Sequence, residues 1–399
     1  MRDLKHLIYF ESLLQETNND LVKAACAEGR LALGWNCSYI PEALLNVDGC
    51  FGVRLRAPGC TSPDMATYYM TTRSCPYSKS ILERAFEGGY NFLAALLGQE
   101  CCTTMNHMEQ YFEYCELIPN DKFFVSYIDM PIRKSDWHAG YYRRQIEQKI
   151  IQPLEKAYGV DFSEERIRKS VELHNEVCRI ITEIGNLRKA ENPVITGYEF
   201  HIIQLVTQTC PKDLILPYLQ ETLEELKTRE PDPAPWFRAR LVVAGSEIDD
   251  PEFTKLLEMC GGMVVADRYC FGSIPGRQEI DVSESSDPLQ AVADYYMWAN
   301  QCPRAPGRDE IVGRKRYLAD LVEEYKADGI VLENMKFCEY WGYERAQDGM
   351  WFSEGYAVPR RIPVCQIEKD YTSAASGQLR TRFQAFIESL EIKQIQGTI

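Results

Sequence analysis

The residues best able to do chemistry in this chain are its cysteines, 15 in 399 residues, because thiolates hold iron and zinc and act as nucleophiles. No Cys-x-x-Cys pair occurs, so neither a zinc ribbon nor a bacterial-ferredoxin run is present. A metal site would have to gather thiols from distant segments. Three places stand out: Cys75 in Arg73-Ser-Cys-Pro-Tyr77, the pair Cys101-Cys102 ahead of Thr103-Thr-Met-Asn-His-Met108, and Cys338 in Lys336-Phe-Cys-Glu339. Cys178, Cys260 and Cys365 sit inside apolar patterns and read as core, since a free cysteine packs as a small hydrophobe.

The elements around these thiols can be read from periodicity and punctuation. Cys75 precedes Pro76 and the helical spacing of Ile81, Leu82, Ala85 and Phe86. Its thiol therefore falls at a helix N-terminus, where unpaired N–H groups and the dipole favour a thiolate. Ala94 to Leu97 is a short apolar run of the buried-strand type, and Cys102 follows it. Pro41-Glu42 reads as a helix start, Phe51 to Leu55 and Lys122 to Tyr127 as strands, and 140–190 as charged helix. In that helix Ile167, Val171, His174, Cys178 and Ile181 share one stripe, which makes His174 a core residue before a catalytic one.

Arg229-Glu-Pro-Asp-Pro-Ala-Pro235 cannot continue a helix and makes a stiff linker. Beyond it, strands at 239–243, 263–266, 328–333 and 362–366 alternate with helices at 250–259, 289–299 and 309–326. Such alternation predicts parallel sheets with helices on both faces. The expected division is an N-terminal α/β domain (1–139), a mainly helical segment (140–228), a Pro-rich linker (229–236) and a C-terminal α/β domain (237–399). Ligands of open α/β sheets gather beyond the carboxyl ends of strands. Cys102 and Cys338 both hold that position, which predicts a cleft site between two sheets.

Lys plus Arg number 44 against 59 Asp plus Glu, for a net charge of −15, with 45% hydrophobic residues. That charge opposes a phosphate backbone, so neither nucleic acid nor an anionic membrane is an expected partner. No signal peptide or membrane span is legible, and the expected location is cytoplasmic. There is no Gly-x-Gly-x-x-Gly, P-loop, Gly-x-Ser-x-Gly or His-Glu-x-x-His pattern. The chain is thus not expected to bind ATP itself or to act as a serine hydrolase or zinc protease.

Several segments, taken in order, resemble one family. They are Gly34-Trp-Asn-Cys-Ser-Tyr-Ile-Pro-Glu42; Cys75-Pro-Tyr77; Leu241-Val-Val-Ala-Gly245 with Val264-Val-Ala-Asp267 and Cys270-Phe-Gly272; Ala327-Asp-Gly-Ile-Val331 leading to Lys336-Phe-Cys338; and Glu368-Lys-Asp-Tyr371 with 378–388. Together they are similar to the 2-hydroxyacyl-CoA dehydratase and benzoyl-CoA reductase family over nearly the whole chain. The resemblance implies two Rossmann/flavodoxin-like domains, a 4Fe-4S cluster held by three cysteines, and pairing with a related second subunit or with itself. It also implies an acyl-CoA substrate and an ATP-hydrolysing iron–sulfur activator protein. On it, Cys75 is the first ligand and Cys338 the third. The family's middle cysteine is followed by Asp. Cys102 fits by its distance from the strand, with Cys101, or a register that puts Met105-Asn106 on the motif, as the alternatives.

The family's dehydratases remove water from (R)-2-hydroxyacyl-CoA, whose β-hydrogen is too weakly acidic for ordinary elimination. The resemblance implies a one-electron route: reduction of the thioester to a ketyl radical expels the hydroxyl. Ser38 and Glu42 are the expected groups near the substrate, against plainer roles as a helix cap and a first-turn acid. Tyr340 and Trp341 would shield a cluster or fill core. Three other readings stay open: an aromatic-ring reductase of the benzoyl-CoA type, a double-cubane reductase needing about six cysteines, and a non-catalytic electron-relay or scaffold subunit. Cys37, Cys270 and Cys302 lie in motif-like stretches, with buried packing preferred for each.

Overall fold

The computed structural model describes residues 3–100, 102–274, 277–283, 287–354, 361–371 and 377–396. Cys101 lies outside the described residues. Among the described residues, eight strands form two sheets. The first holds β1 (Leu31–Trp35), β2 (Cys50–Arg54), β3 (Leu93–Gln99) and β4 (Phe124–Ile128) in the order β2-β1-β3-β4. The second holds β5 (Ala239–Gly245), β6 (Gly262–Tyr269), β7 (Gly329–Met335) and β8 (Val364–Lys369) in the order β6-β5-β7-β8. Every pairing is parallel. The two-fold α/β architecture expected from alternation is the one observed.

The parallel arrangement follows from the composition of the central strands. Leu93-Ala-Ala-Leu-Leu97 and Leu241-Val-Val-Ala244 are apolar on both faces, and all of β3 and β7 is buried. Such strands need helices on each side, and the crossovers supply them. In both sheets the chain order reverses between the first and third strands, β1 and β3 or β5 and β7. That reversal is a topological switch point, and a crevice opens at the strands' carboxyl ends.

Two expectations need correction. Strand β1 occupies a stretch where no strand was expected, and the helix expected from Pro41 is only a 3-10 turn, Glu42–Leu44. The middle of the chain is helical as expected, with long helices at Glu164–Asn186, Gly197–Thr209 and Lys212–Thr228. His174 is buried on its stripe, and burial pulls its pKa down to about 4.

The apolar core is not divided at the Pro-rich stretch. One buried group joins Phe51 and Leu96 of the first sheet to Val206 of the helical segment and to Val243 and Val331 of the second sheet. A second group packs Tyr296 and Val292, from the helix Pro288–Trp298, against Trp35, Tyr39 and Ile40. The C-terminal part thus reaches back onto the first sheet. No helix among the described residues is long and apolar enough to cross a membrane.

Candidate functional site

A cavity of about 500 Å³ opens where the two crevices meet. Its wall comes from segments just past strand ends: Asn36–Ser38 after β1, Cys102 after β3, Glu247 after β5, Cys270 after β6, and Phe337–Cys338 after β7. Cys75, Cys102 and Cys338 all line it. The predicted ligand set, drawn from positions 263 residues apart in sequence (338 minus 75), is therefore brought to one place.

Each of these three cysteines stands at the head of a helix. Cys75 is the N-cap of Pro76–Phe86 and Cys102 that of Thr103–Tyr114. Cys338 immediately precedes Glu339–Glu354, and its carbonyl accepts from the Gly342 N–H. Neither of the first two helices has a side-chain cap on its N–H groups, so first-turn donors there are left to the sulfurs. Burial pushes all three thiols up and Glu247 adds to the rise at each, with neighbouring thiols adding to it at Cys75 and Cys338. Backbone N–H groups of Ser78 and Tyr77 on Cys75, Met105 and Thr104 on Cys102, and Trp341 on Cys338 work the other way. Three thiols on one cavity wall, one buried and two half-buried, with helix dipoles aimed at them, suit a group that draws protons off sulfur and carries net negative charge.

Among the described residues, no three His, Cys, Asp or Glu side chains converge as closely as ligands of one metal ion must. A polynuclear group asks for less convergence than a mononuclear ion, since each of its irons takes one thiolate, and Cys75, Cys102 and Cys338 are the residues that would hold one.

The remaining expected residues divide. Ser38 lines the cavity, is buried, and accepts a hydrogen bond from Asn300 Nδ2 at 3.3 Å. Glu42 is not among the lining residues. Its carboxylate is ion-paired with Lys212 in a buried setting. Burial pushes that carboxyl up, but the Lys212 ammonium outweighs it and holds the pKa below the usual range. Lys212→Met should leave the carboxylate stranded and cost about 3–5 kcal/mol in urea unfolding, most of it recovered in the Lys212→Met, Glu42→Gln double variant. A loss below about 1 kcal/mol would show that the pair is not structural. Trp341 lines the cavity, is 3% exposed and lies under the Arg268 guanidinium; Tyr340 is at the wall but more exposed. Met105 lines the cavity, while the Asn106 amide is spent on Gln99 O and Glu109.

Residues not foreseen complete the wall. Glu247 is the carboxylate that reaches all three thiols electrostatically. Arg54 bridges the sheets, donating to Cys270 O at 2.6 Å and Gln208 Oε1 at 2.8 Å between the Trp35 and Phe271 rings. Cys37, Cys270 and Cys302 also line the cavity, so six thiols share it. Cys37 and Cys270 follow strands β1 and β6, and Cys302 follows the helix Pro288–Trp298.

Behind Asn36 lies Glu109, fully buried, accepting from Asn36 Nδ2 at 2.6 Å and Asn106 Nδ2 at 3.2 Å. Gly98 admits it, since a Cβ there would stand 2.5 Å from the carboxyl. Burial raises the Glu109 pKa to about 8. A raised carboxyl stabilises the fold fully below its unfolded value near 4.5 and loses that contribution as pH rises through about 8. Glu109→Gln should therefore remove up to about 1.4 kcal/mol per pH unit of the decline between those limits, read by urea unfolding at several pH values. Parallel pH curves for variant and wild type would refute the assignment.

The fold and the thiol-lined crevice define an α/β protein with two parallel sheets and a candidate site at their strands' carboxyl ends, and comparison with known proteins gives the family. Residues 37–390 match the 2-hydroxyglutaryl-CoA dehydratase, D-component, model, and the chain belongs to that family. It is 25% identical to the (R)-phenyllactyl-CoA dehydratase beta subunit of Clostridium sporogenes, over 96% of this chain and 97% of that one. It is 23% identical to the lactoyl-CoA dehydratase beta subunit of Anaerotignum propionicum (91% and 92%) and 20% identical to one of the benzoyl-CoA reductase subunits of Thauera aromatica (89% and 89%).

Proposed function

We propose that this chain is an iron–sulfur subunit of an (R)-2-hydroxyacyl-CoA dehydratase. The observation that carries the reading is the convergence of three helix N-termini, each headed by a cysteine, on one cavity at the switch points of both sheets. Cys75, Cys102 and Cys338 would hold a 4Fe-4S cluster, which supplies a low-potential electron and one iron open to a substrate oxygen. The chain's own groups orient and insulate. First-turn N–H groups favour the thiolates, Trp341 and Phe337 screen the wall from water, and Ser38 offers a hydroxyl on the ligand side. A related subunit and an ATP-hydrolysing activator are the proposed partners, and cytoplasm the proposed location. The proposed units remain 1–139, 140–228 and 237–399.

A second reading rests on the other three thiols. Cys37, Cys270 and Cys302 line the same cavity, where Cys37 and Cys302 help push the Cys270 thiol up and Cys37 helps push up that of Cys302. Six thiols at one cavity suit a double-cubane reductase. They lack helix N-termini at their sulfurs, which favours the single-cluster reading. Anaerobically purified, iron-loaded chain should change its visible spectrum on addition of (R)-lactoyl-CoA. An unchanged spectrum would instead favour an electron-relay or scaffold subunit.

A further inference from the structure

A second cavity, of about 320 Å³, shares no lining residue with the thiol-lined site. Its wall carries three cations, Arg188, Lys189 and Arg277, against two carboxylates, Asp267 and Glu324. A wall with one positive charge in surplus runs against the chain's net charge of −15. Lys189 and Glu324 are the more exposed pair, and they cancel each other in an ion pair. What remains is two guanidiniums on one carboxylate: Asp267 Oδ1 stands 3.3 Å from Arg277 Nη2 and 3.7 Å from Arg188 Nη2.

The surplus charge is held largely out of water. Arg188 is 2% exposed, and both guanidiniums lie over the Phe200 ring, at 3.6 and 4.8 Å, which offers a π face but no counter-charge. Asp267 Oδ2 is already taken by Ser273 N at 2.6 Å and Ser273 Oγ at 2.8 Å. A buried charge without a counter-ion is costly, so the place calls for an anion.

The donors for one are open. Arg188 spends Nε on Gly185 O and Nη1 on Val264 O, which leaves Nη2 with no hydrogen bond among the described residues. Arg277 donates through Nη2 alone, so Nε and Nη1 are unspent, and Tyr317 Oη bonds no described residue. None of these four atoms is among the unpaired polar atoms that the protein encloses, so each keeps accessible surface on a side chain that lines the cavity.

We propose that this cavity binds a phosphate-type oxyanion, with Arg188 Nη2, Arg277 Nε and Nη1, and Tyr317 Oη as its donors. Guanidinium forks match the several oxygens of a tetrahedral anion and hold it by charge-assisted hydrogen bonds. The donors come from a 3-10 turn (Leu187–Lys189), the stretch after β6 and the helix Arg308–Glu324, so they can approach such an anion from more than one side.

The test is equilibrium dialysis of labelled inorganic phosphate against the full-length chain in otherwise phosphate-free buffer. Wild type should bind at one site per chain with a Kd at or below about 1 mM. Arg277→Gln should weaken binding about tenfold or more, since it removes a charged donor. Tyr317→Phe removes a hydroxyl and no charge; it should weaken binding about threefold with an unchanged melting temperature, and it carries the test if Arg277→Gln does not fold. Arg179→Gln, an exposed arginine outside the cavity, should bind as wild type does. Displacement of the label by 3′-AMP at lower concentration than by unlabelled phosphate would support an esterified ligand, and displacement by phosphate alone the free ion. No saturable binding, equal displacement by acetate, or unaltered affinity in either folded cavity variant would overturn the proposal.

Discussion

Replacing Cys338 with serine should abolish retained iron in anaerobically purified protein, and Cys75→Ser should do the same. A serine hydroxyl keeps the size of the side chain but ionises far less readily than a thiol and is a poor ligand for iron–sulfur groups. The effect should be large because the cavity's other thiols, Cys37, Cys270 and Cys302, head no helix that would favour a thiolate. Glu247, a carboxylate of the cavity wall, is itself pushed towards its neutral form by burial. The fold should survive, since both side chains project into a cavity. Cys365→Ser, half-buried on the edge strand of the second sheet, supplies the control and should keep its iron. Loss of iron in the control, or its retention in Cys338→Ser, would contradict the ligand assignment.

The second large effect concerns how Cys338 is held. The helix it heads, Glu339–Glu354, is anchored by a buried charge network. Arg268 reaches Asp348 at 2.8 Å and Glu344 at 3.3 Å; Lys315 reaches Asp348 at 2.6 Å; Arg314 reaches Glu344 at 2.9 Å. The side chains of Arg268, Lys315, Glu344 and Asp348 are at most 2% exposed. An ion pair so placed gains little over an apolar contact, but breaking one leaves a charge without solvent or partner. Asp348→Ala strands part of two cations at once. It should cost about 3–5 kcal/mol in urea unfolding, with a lowered iron content as the helix start loosens. Glu323→Ala, on an exposed helix face, should change stability by less than about 0.5 kcal/mol. A loss below about 1 kcal/mol for Asp348→Ala would show that the network does not carry the helix.

The parallel sheets were legible because their central strands are continuous apolar runs, and a parallel sheet buries both faces. Strand β1 escaped notice because Leu31-Ala-Leu-Gly-Trp35 is short and broken by Gly34, a poor strand residue alone. Its place between β2 and β3 overrides that, and the Leu93 side chain occupies the space beside Gly34. The helix expected at Pro41 stops after one 3-10 turn, where the segment packs under the helix Pro288–Trp298 and Ala43 N donates to Tyr296 Oη. A partner 253 residues away leaves no local trace.

Cys75 was readable because Cys-Pro places proline at the first helical position, and Cys338 because it follows a strand of the second sheet. Arg54, Gln99, Asn36 and Glu247 were not readable, since polar residues at strand ends are ordinary until a second sheet faces them. Cys37, Cys270 and Cys302 were expected to be packing residues. The structure buries Cys270 and also gives all three to the cavity wall, so burial and a place in the site are compatible here.

The iron–sulfur assignment stands or falls on iron and acid-labile sulfide per chain, measured on the anaerobically reconstituted full-length protein. A single cluster on Cys75, Cys102 and Cys338 predicts about four of each. About eight would move the assignment to a double cubane using all six cavity thiols. None after reconstitution would refute it and leave a subunit whose thiols are structural.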